Sequence, residues 1–418
     1  MDRAPSSDEA RLKTAHEGGV FSTLLTYARL SGPGWLQSAI TLGGGSLAGA
    51  LFLGVLTGTR MLWLQLLAML LGVVMLSAIS YVTLCTGERP FGAIKKHVNP
   101  VLAWGWATAV LMANVVWCLP QFSLATAAVQ KNLLPGFAGD GAKVAICAAL
   151  LGAAVAAVWA YDSGSRGLAV FEVILKGLVG LIVVCFFGVV WALASGGEGF
   201  EWGRIAQGLV PSWSSLTEPA PLFADALGRT GTFQGWWSAR IVSEQQSVAI
   251  AAAATAVGIN MTFLLPYSML RKGWNVQFRR LAVFDLGTGL LIPFVLATGC
   301  VVIASADRFH GKYDTALVEE VPVALASKGF LTSLDARLQA GLDADSYAMR
   351  SVHPRERAVQ GEEVYAERVA LAMAMVPRAD RELCAMLVRR DSFALAKALE
   401  PLAGPRKSQL VFGIGVLA

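Results

Sequence analysis

The chain has 418 residues, of which 55% are hydrophobic and only 15% charged, with 34 basic and 29 acidic residues for a formal net charge of +5. Soluble domains carry about 25% charged residues, so this composition, with a mean hydropathy of +0.56, excludes an ordinary soluble protein and reads as an integral membrane protein. The positive balance does not point to nucleic acid, because Lys and Arg gather at the ends of apolar runs, where they set topology.

Residues 1–30 are polar and mixed in charge. They lack the short basic-then-apolar form of a cleaved signal peptide, so a cytoplasmic N-terminal tail is expected there. Crossing roughly 30 Å of hydrocarbon takes about 20 apolar residues in a helix. Seven runs qualify, at approximately 33–56, 61–84, 101–129, 143–162, 168–194, 246–270 and 281–305, and they define an all-α polytopic transmembrane domain over 31–305. The segment 306–407 is polar, and within 380–402 Leu383, Leu387, Leu395 and Leu399 recur at helical spacing, so an extramembrane helical segment is expected. The run 408–418 reads as the start of an eighth span, from which a C-terminally incomplete chain is expected. Cys85, Cys118, Cys147, Cys185 and Cys300 lie in or beside apolar runs and no CxxC pair occurs, so no disulfide framework is expected. His310 and His353 are too far apart in sequence for a metal module.

The loop at 87–100 carries Arg89, Lys95 and Lys96, the turn near 163–167 carries Arg166, and the loop at 271–280 carries Arg271, Lys272, Arg279 and Arg280. The short loops of the other side hold only Arg60, Lys131 and Lys143. Positive residues stay inside, which puts the N-terminus in the cytoplasm of a plasma (inner) membrane and both long polar segments, 195–245 and 306–407, outside.

Two spans are interrupted. The first has Gly43-Gly44-Gly45-Ser46 at its middle, where each glycine weakens a helix by about 1 kcal/mol relative to Ala. The sixth has Gly258, Asn260, Met261 and Pro266 within nine residues, and proline removes a backbone donor. Interrupted spans at corresponding places in two halves mark a transporter's binding site, because unwound backbone exposes carbonyls and helix ends. Residues 41–47 and 257–266 are therefore expected to be non-helical and to face each other. Glu172 and Lys176 stand four apart, the order of a helical ion pair, and Asp285 lies one turn into the seventh span. Ionisable groups at such depths are candidates for function. Asn114, Gln121 and Ser123 in the third span are expected to hydrogen-bond between helices.

Gly32-Pro33-Gly34-Trp35 before the first span, Leu62 to Thr86-Gly87 in the second, Gly208-Leu209-Val210-Pro211 before the sixth, and Asn260-Met261 with Ser268 together resemble the natural resistance-associated macrophage protein (Nramp) family of divalent-metal transporters. The resemblance covers about 31–305. It implies a LeuT-type inverted-repeat fold with the first repeat complete and the second incomplete, and proton-coupled uptake of manganese or ferrous iron. The family's Asp-Pro-Gly-Asn signature falls on Gly43, Gly44, Gly45 and Ser46, and its Met-Pro-His-Asn on Met261, Thr262, Phe263 and Leu264. This divergent member thus lacks the carboxylate and the histidine and keeps the thioether.

The expected substrate-binding residues are Gly43, Gly44, Gly45, Ser46, Asn260 and Met261, with Met261 as the metal ligand and Asp285 and Glu172 as proton-coupling groups. The expected function is secondary transport of a cation, nominally a divalent metal ion, by alternating access around spans one and six. The alternatives are transport of a non-metal solute and a non-transporting scaffold or sensor. No enzyme, cofactor or nucleic-acid partner is expected; membrane lipid, a divalent metal ion and a proton are.

Overall fold

A computed structural model describes residues 7–134, 136, 137, 139–162, 165–195 and 201–389, and the expected eighth span and the rest of the 380–402 helical pattern lie outside these. All regular structure among the described residues is helical. The N-terminal tail is a hairpin of two helices, α1 (Ser7–Glu17) and α2 (Val20–Leu30). The first span is a pair of half-helices, α3 (Pro33–Thr41) and α4 (Gly44–Thr57), bent by 57°. There follow α5 (Leu62–Thr86), the short α6 (Pro90–His97), α7 (Pro100–Ala128), α8 (Asp140–Asp162) and α9 (Ser165–Ser195). The sixth span is α10 (Gln234–Ala256) and α11 (Ile259–Arg271), and the seventh is α12 (Arg279–Leu286), a π-turn at Gly287–Leu291 and α13 (Ile292–Phe309). By length and composition six of these stretches are able to cross a membrane, and the bent α3–α4 pair makes a seventh.

The half-helices pack crosswise: α3 lies against α11 and α9, while α4 lies against α10 and α13. A close approach in the α4–α13 pair is at Gly54, where an added Cβ would overlap Ser305 Oγ and the Val302 carbonyl oxygen. Small residues let membrane helices approach until backbones touch. Gly54→Ala should therefore push α4 from α13 and lower stability by about 1–3 kcal/mol, as overpacking does. A thermal-unfolding midpoint unchanged from the parent chain would contradict this.

The sixth span begins earlier than its charge pattern suggests. The polar segment expected to run to 245 is helical from Gln234, because Trp237, Ile241, Gln245, Val248, Ala252 and Ala256 are all buried on one face at helical spacing. This polar first half anchors what lies above it. Gln245 accepts from Ala220 N and donates to Ser215 O and Glu218 O, each at 2.8 Å. Trp237 Nε1 donates to Asp380 Oδ1 at 2.5 Å, and Arg337 Nε donates to the same oxygen at 2.8 Å. The bonds to Asp380 tie α10 to α14 (Lys328–Gly341) and α16 (Arg378–Met386), which with α15 (Glu362–Met375) are the longer helices described in the segment after the seventh span. The two histidines of that region make separate contacts: His310 Nδ1 lies 2.9 Å from Val55 O of α4, and His353 Nδ1 accepts from Arg355 N at 3.2 Å.

Candidate functional site

Both interruptions are present, and both are shorter than expected. The first is confined to Leu42 (φ −77°, ψ 34°) and Gly43 (φ −83°, ψ 178°), the second to Val257 (φ −138°, ψ 111°) and Gly258 (φ −82°, ψ 152°). Gly44, Gly45 and Ser46 form the first turn of α4, and Asn260, Met261 and Pro266 lie inside α11. The expectation of non-helical 41–47 and 257–266 is corrected on this point. The reason is local: the first N–H groups of a helix have no intrahelical partner, so glycines cost little there, and one proline bond lost inside α11 is tolerated where neighbouring helices cover it.

Each second half-helix thus starts at an extended glycine with no side-chain cap. Neither glycine has a positive φ, so close approach is their role. An added Cβ on Gly43 would sit 2.9 Å from Gln121 Nε2, one on Gly45 would sit 2.8 Å from Trp117 Cζ3, and one on Gly258 would overlap Asn260 Oδ1.

The two breaks share one cavity of about 810 Å³. Gly43, Gly44, Gly45 and Ser46 line it from one side, and Gly258, Asn260 and Met261 from the other. The structure therefore brings all six expected substrate-binding residues together. Met261 is buried, and Thr41 Oγ1, which donates to Gln37 O at 2.9 Å, lies 3.7 Å from its Sδ across the breaks. Ser46 is turned inward on the chain, where Oγ donates to Thr41 O and, at 3.2 Å, to Gly43 O. It satisfies the Thr41 carbonyl beside the break, while Gly43 O also accepts from Leu47 N at 3.2 Å. Asn114 also lines the cavity, but it donates to Val110 O of its own helix at 2.8 Å rather than between helices. Among the described residues no Asp, Glu, Lys, Arg or His lines the cavity, and no group of three or more His, Cys, Asp or Glu is placed to hold a metal ion.

Glu172 and Asp285 stand apart from the cavity, at the start of α3. Asp285, 1% exposed, accepts from Ser31 Oγ, from Gly32 N at 3.1 Å and from Gly34 N at 2.6 Å. A carboxylate from the seventh span thereby caps the first half-helix, where negative charge is favoured. Glu172 does not pair with Lys176. It pairs with Lys272 at 2.9 and 3.1 Å, Lys272 also donates to Leu30 O at 3.2 Å, and Lys176 donates to Ser31 O at 2.6 Å. The Gly32-Pro33-Gly34 motif has its physical reason here, since an added Cβ on Gly32 would press on Glu172 and Lys272, and one on Gly34 would overlap the Asp285 carbonyl oxygen. Sequence spacing could not reveal Lys272, which is 100 residues from its partner. A water-sized void of about 10 Å³ lies beside Glu172, Ser268 and Lys272, and Leu36, Phe171 and Leu175 line both it and the main cavity.

A half-helix pair packed against a second interrupted span around a shared cavity is an arrangement found in secondary transporters. The sequence profile of the natural resistance-associated macrophage protein-like family, Nramp, matches residues 34–328. The chain belongs to the Nramp family. It is similar to the divalent metal cation transporter MntH 1 of Pseudomonas aeruginosa, at 26% identity over 305 residues, which is 71% of this chain and 60% of that relative. Two crystal structures of variants of the Eremococcus coleocola manganese transporter superpose on it with TM-scores of 0.52, each at 13% identity over 94% of this chain and 75% of the solved one. The fold is the all-α, LeuT-type inverted-repeat architecture, with spans one to five as one repeat and spans six and seven opening the second.

Proposed function

We propose that this chain is a secondary transporter that moves a cation, nominally a divalent metal ion, by alternating access around the breaks at Leu42-Gly43 and Val257-Gly258. The observation that carries this reading is the placement of both breaks on one cavity. The family and the relatives named above support the metal as cargo. In this reading Ser31 to Gly34 form a closed gate: α3 is held by Asp285, Lys176 and Lys272, and release of that clamp opens the cavity to the face that bears the N-terminus. The positive loops put that face in the cytoplasm. Asp285 and Glu172 are the carboxylates beside the gate, and a proton taken up by either weakens the clamp, which is how proton movement couples to opening.

The cavity selects its ion by ligand type. Hard divalent ions want several oxygen ligands, carboxylates foremost, and among the described residues the lining offers none that is charged. The remaining donors are backbone carbonyls, neutral side chains and the thioether of Met261, which favours a soft ion. Met261→Ala should lower cadmium uptake by at least about tenfold, the effect of about 1.4 kcal/mol of lost binding, in proteoliposomes containing a metal-sensitive dye. Tight manganese binding that ignores Met261→Ala would place the metal elsewhere.

A further inference from the structure

The cavity is built for something larger than a bare ion. Pockets for organic ligands run to about 300–1,000 Å³ with mostly apolar walls and few polar groups, and this one, at about 810 Å³, lies within that range. Its lining is of two kinds. At the breaks, the carboxamides of Gln121 and Asn260 lie against the bare backbone of Gly43 and Gly258. Much of the remaining lining is apolar, including Phe122, Phe171, Leu178, Ile182 and Phe186.

We propose that the cavity also takes an uncharged amphipathic organic solute, its amide- or hydroxyl-bearing head between Gln121 and Asn260 and its apolar body against Phe171 and Phe186. The proposal rests on the reading of this cavity as the cargo site. A charged organic head would give up its hydration to a lining that, among the described residues, has no Asp, Glu, Lys, Arg or His to pair with it, and unlike a soft metal ion it gains no bond to the Met261 thioether, whereas a hydrogen-bonded neutral head costs far less to bury. A carboxamide of the protein both donates and accepts, so Gln121 and Asn260 satisfy an amide or hydroxyl head fully. The apolar body gains about 25 cal/mol for each Å² removed from water.

Two native thiols report on occupancy, because Cys118 and Cys185 line the cavity, whereas Cys85 is exposed outside it. The full chain in lipid nanodiscs is treated with N-ethylmaleimide, and modification of each cysteine is followed by mass spectrometry in the presence of benzamide, benzoate or benzamidinium, which share a shape and differ in charge. Millimolar benzamide should slow modification of Cys118 at least about threefold and leave Cys85 alone, the two ions should have little effect, and Gln121→Ala should abolish the protection. Equal protection by all three, protection by manganese chloride alone, or none at all would overturn the proposal. So would a Cys118 that is unreactive in nanodiscs and freed by short-chain detergent, since an acyl chain would then fill the space. Metal flux in proteoliposomes separates the two readings: benzamide protection without flux overturns metal transport and supports the organic site, while flux without protection does the reverse.

Discussion

Gly43→Asp is expected to strengthen manganese binding to the purified chain by at least about tenfold, about 1.4 kcal/mol, as measured by isothermal titration. The backbone admits the change, because Gly43 is extended with a negative φ. The neighbour that the new side chain meets is the amide end of Gln121, 2.9 Å from the Cβ position, a flexible group that is able to turn aside and donate to the carboxylate. Position 43 is also the N-cap of α4, which now has no side-chain cap. Aspartate is among the preferred residues there and improves on glycine by a few tenths of a kcal/mol. Two unit charges 4 Å apart attract by about 4 kcal/mol at an effective dielectric of about 20, and a divalent ion feels about twice that. Desolvation of both partners consumes much of it, which leaves tenfold as a low bound. An affinity equal to that of the parent chain would mean that the ion does not approach this break.

Asp285→Ala should open the start of the first span. The substitution leaves the hydroxyl of Ser31 and the amides of Gly32 and Gly34 without their acceptor in a place that is 1% exposed. Each orphaned donor costs about 1–3 kcal/mol, enough in each case to change the open population by about tenfold. The readout is a cysteine at Ser38, a position with 0% exposure. In a Ser38→Cys chain that keeps Asp285, a water-soluble thiosulfonate should scarcely react at this site. With Asp285→Ala the rate should rise at least about tenfold, and Asp285→Asn, which retains an acceptor oxygen, should fall between. Equal rates in all three chains would remove Asp285 from the gate.

Much of the architecture was legible because hydrocarbon imposes a local rule. Every span must be long, apolar and helical, so the runs at 61–84 and 168–194 could be read directly and reappear within Leu62–Thr86 and Ser165–Ser195. Gly43 and Gly258 marked the breaks for the same reason, since glycine is where a membrane helix is weakest. The extent of each break was not legible. Glycine tolerates both helix and extended backbone, and the first turn of a helix needs no intrahelical amide bonds, so only the packing of α3 and α4 decides that the break stops at Gly43. The start of the sixth span was hidden by Arg240 and Glu244, which pair with each other and stay partly exposed beside the buried Trp237, Ile241 and Gln245.

By itself the sequence determined the seven apolar stretches, the two places where they break, and the lack of charge around the residues that meet there. These are properties of composition and spacing, set residue by residue by the cost of exposing polar groups to hydrocarbon. Only the tertiary structure decided which charges are partners. Glu172 is drawn to Lys272 instead of Lys176, and Asp285 to the backbone of Gly32 and Gly34, because Gly32 and Gly34 have no side chains to hold the helices apart. An ion pair forms where backbones come close enough to bring both groups out of water together, and that closeness belongs to the packed helices, not to any spacing along the chain.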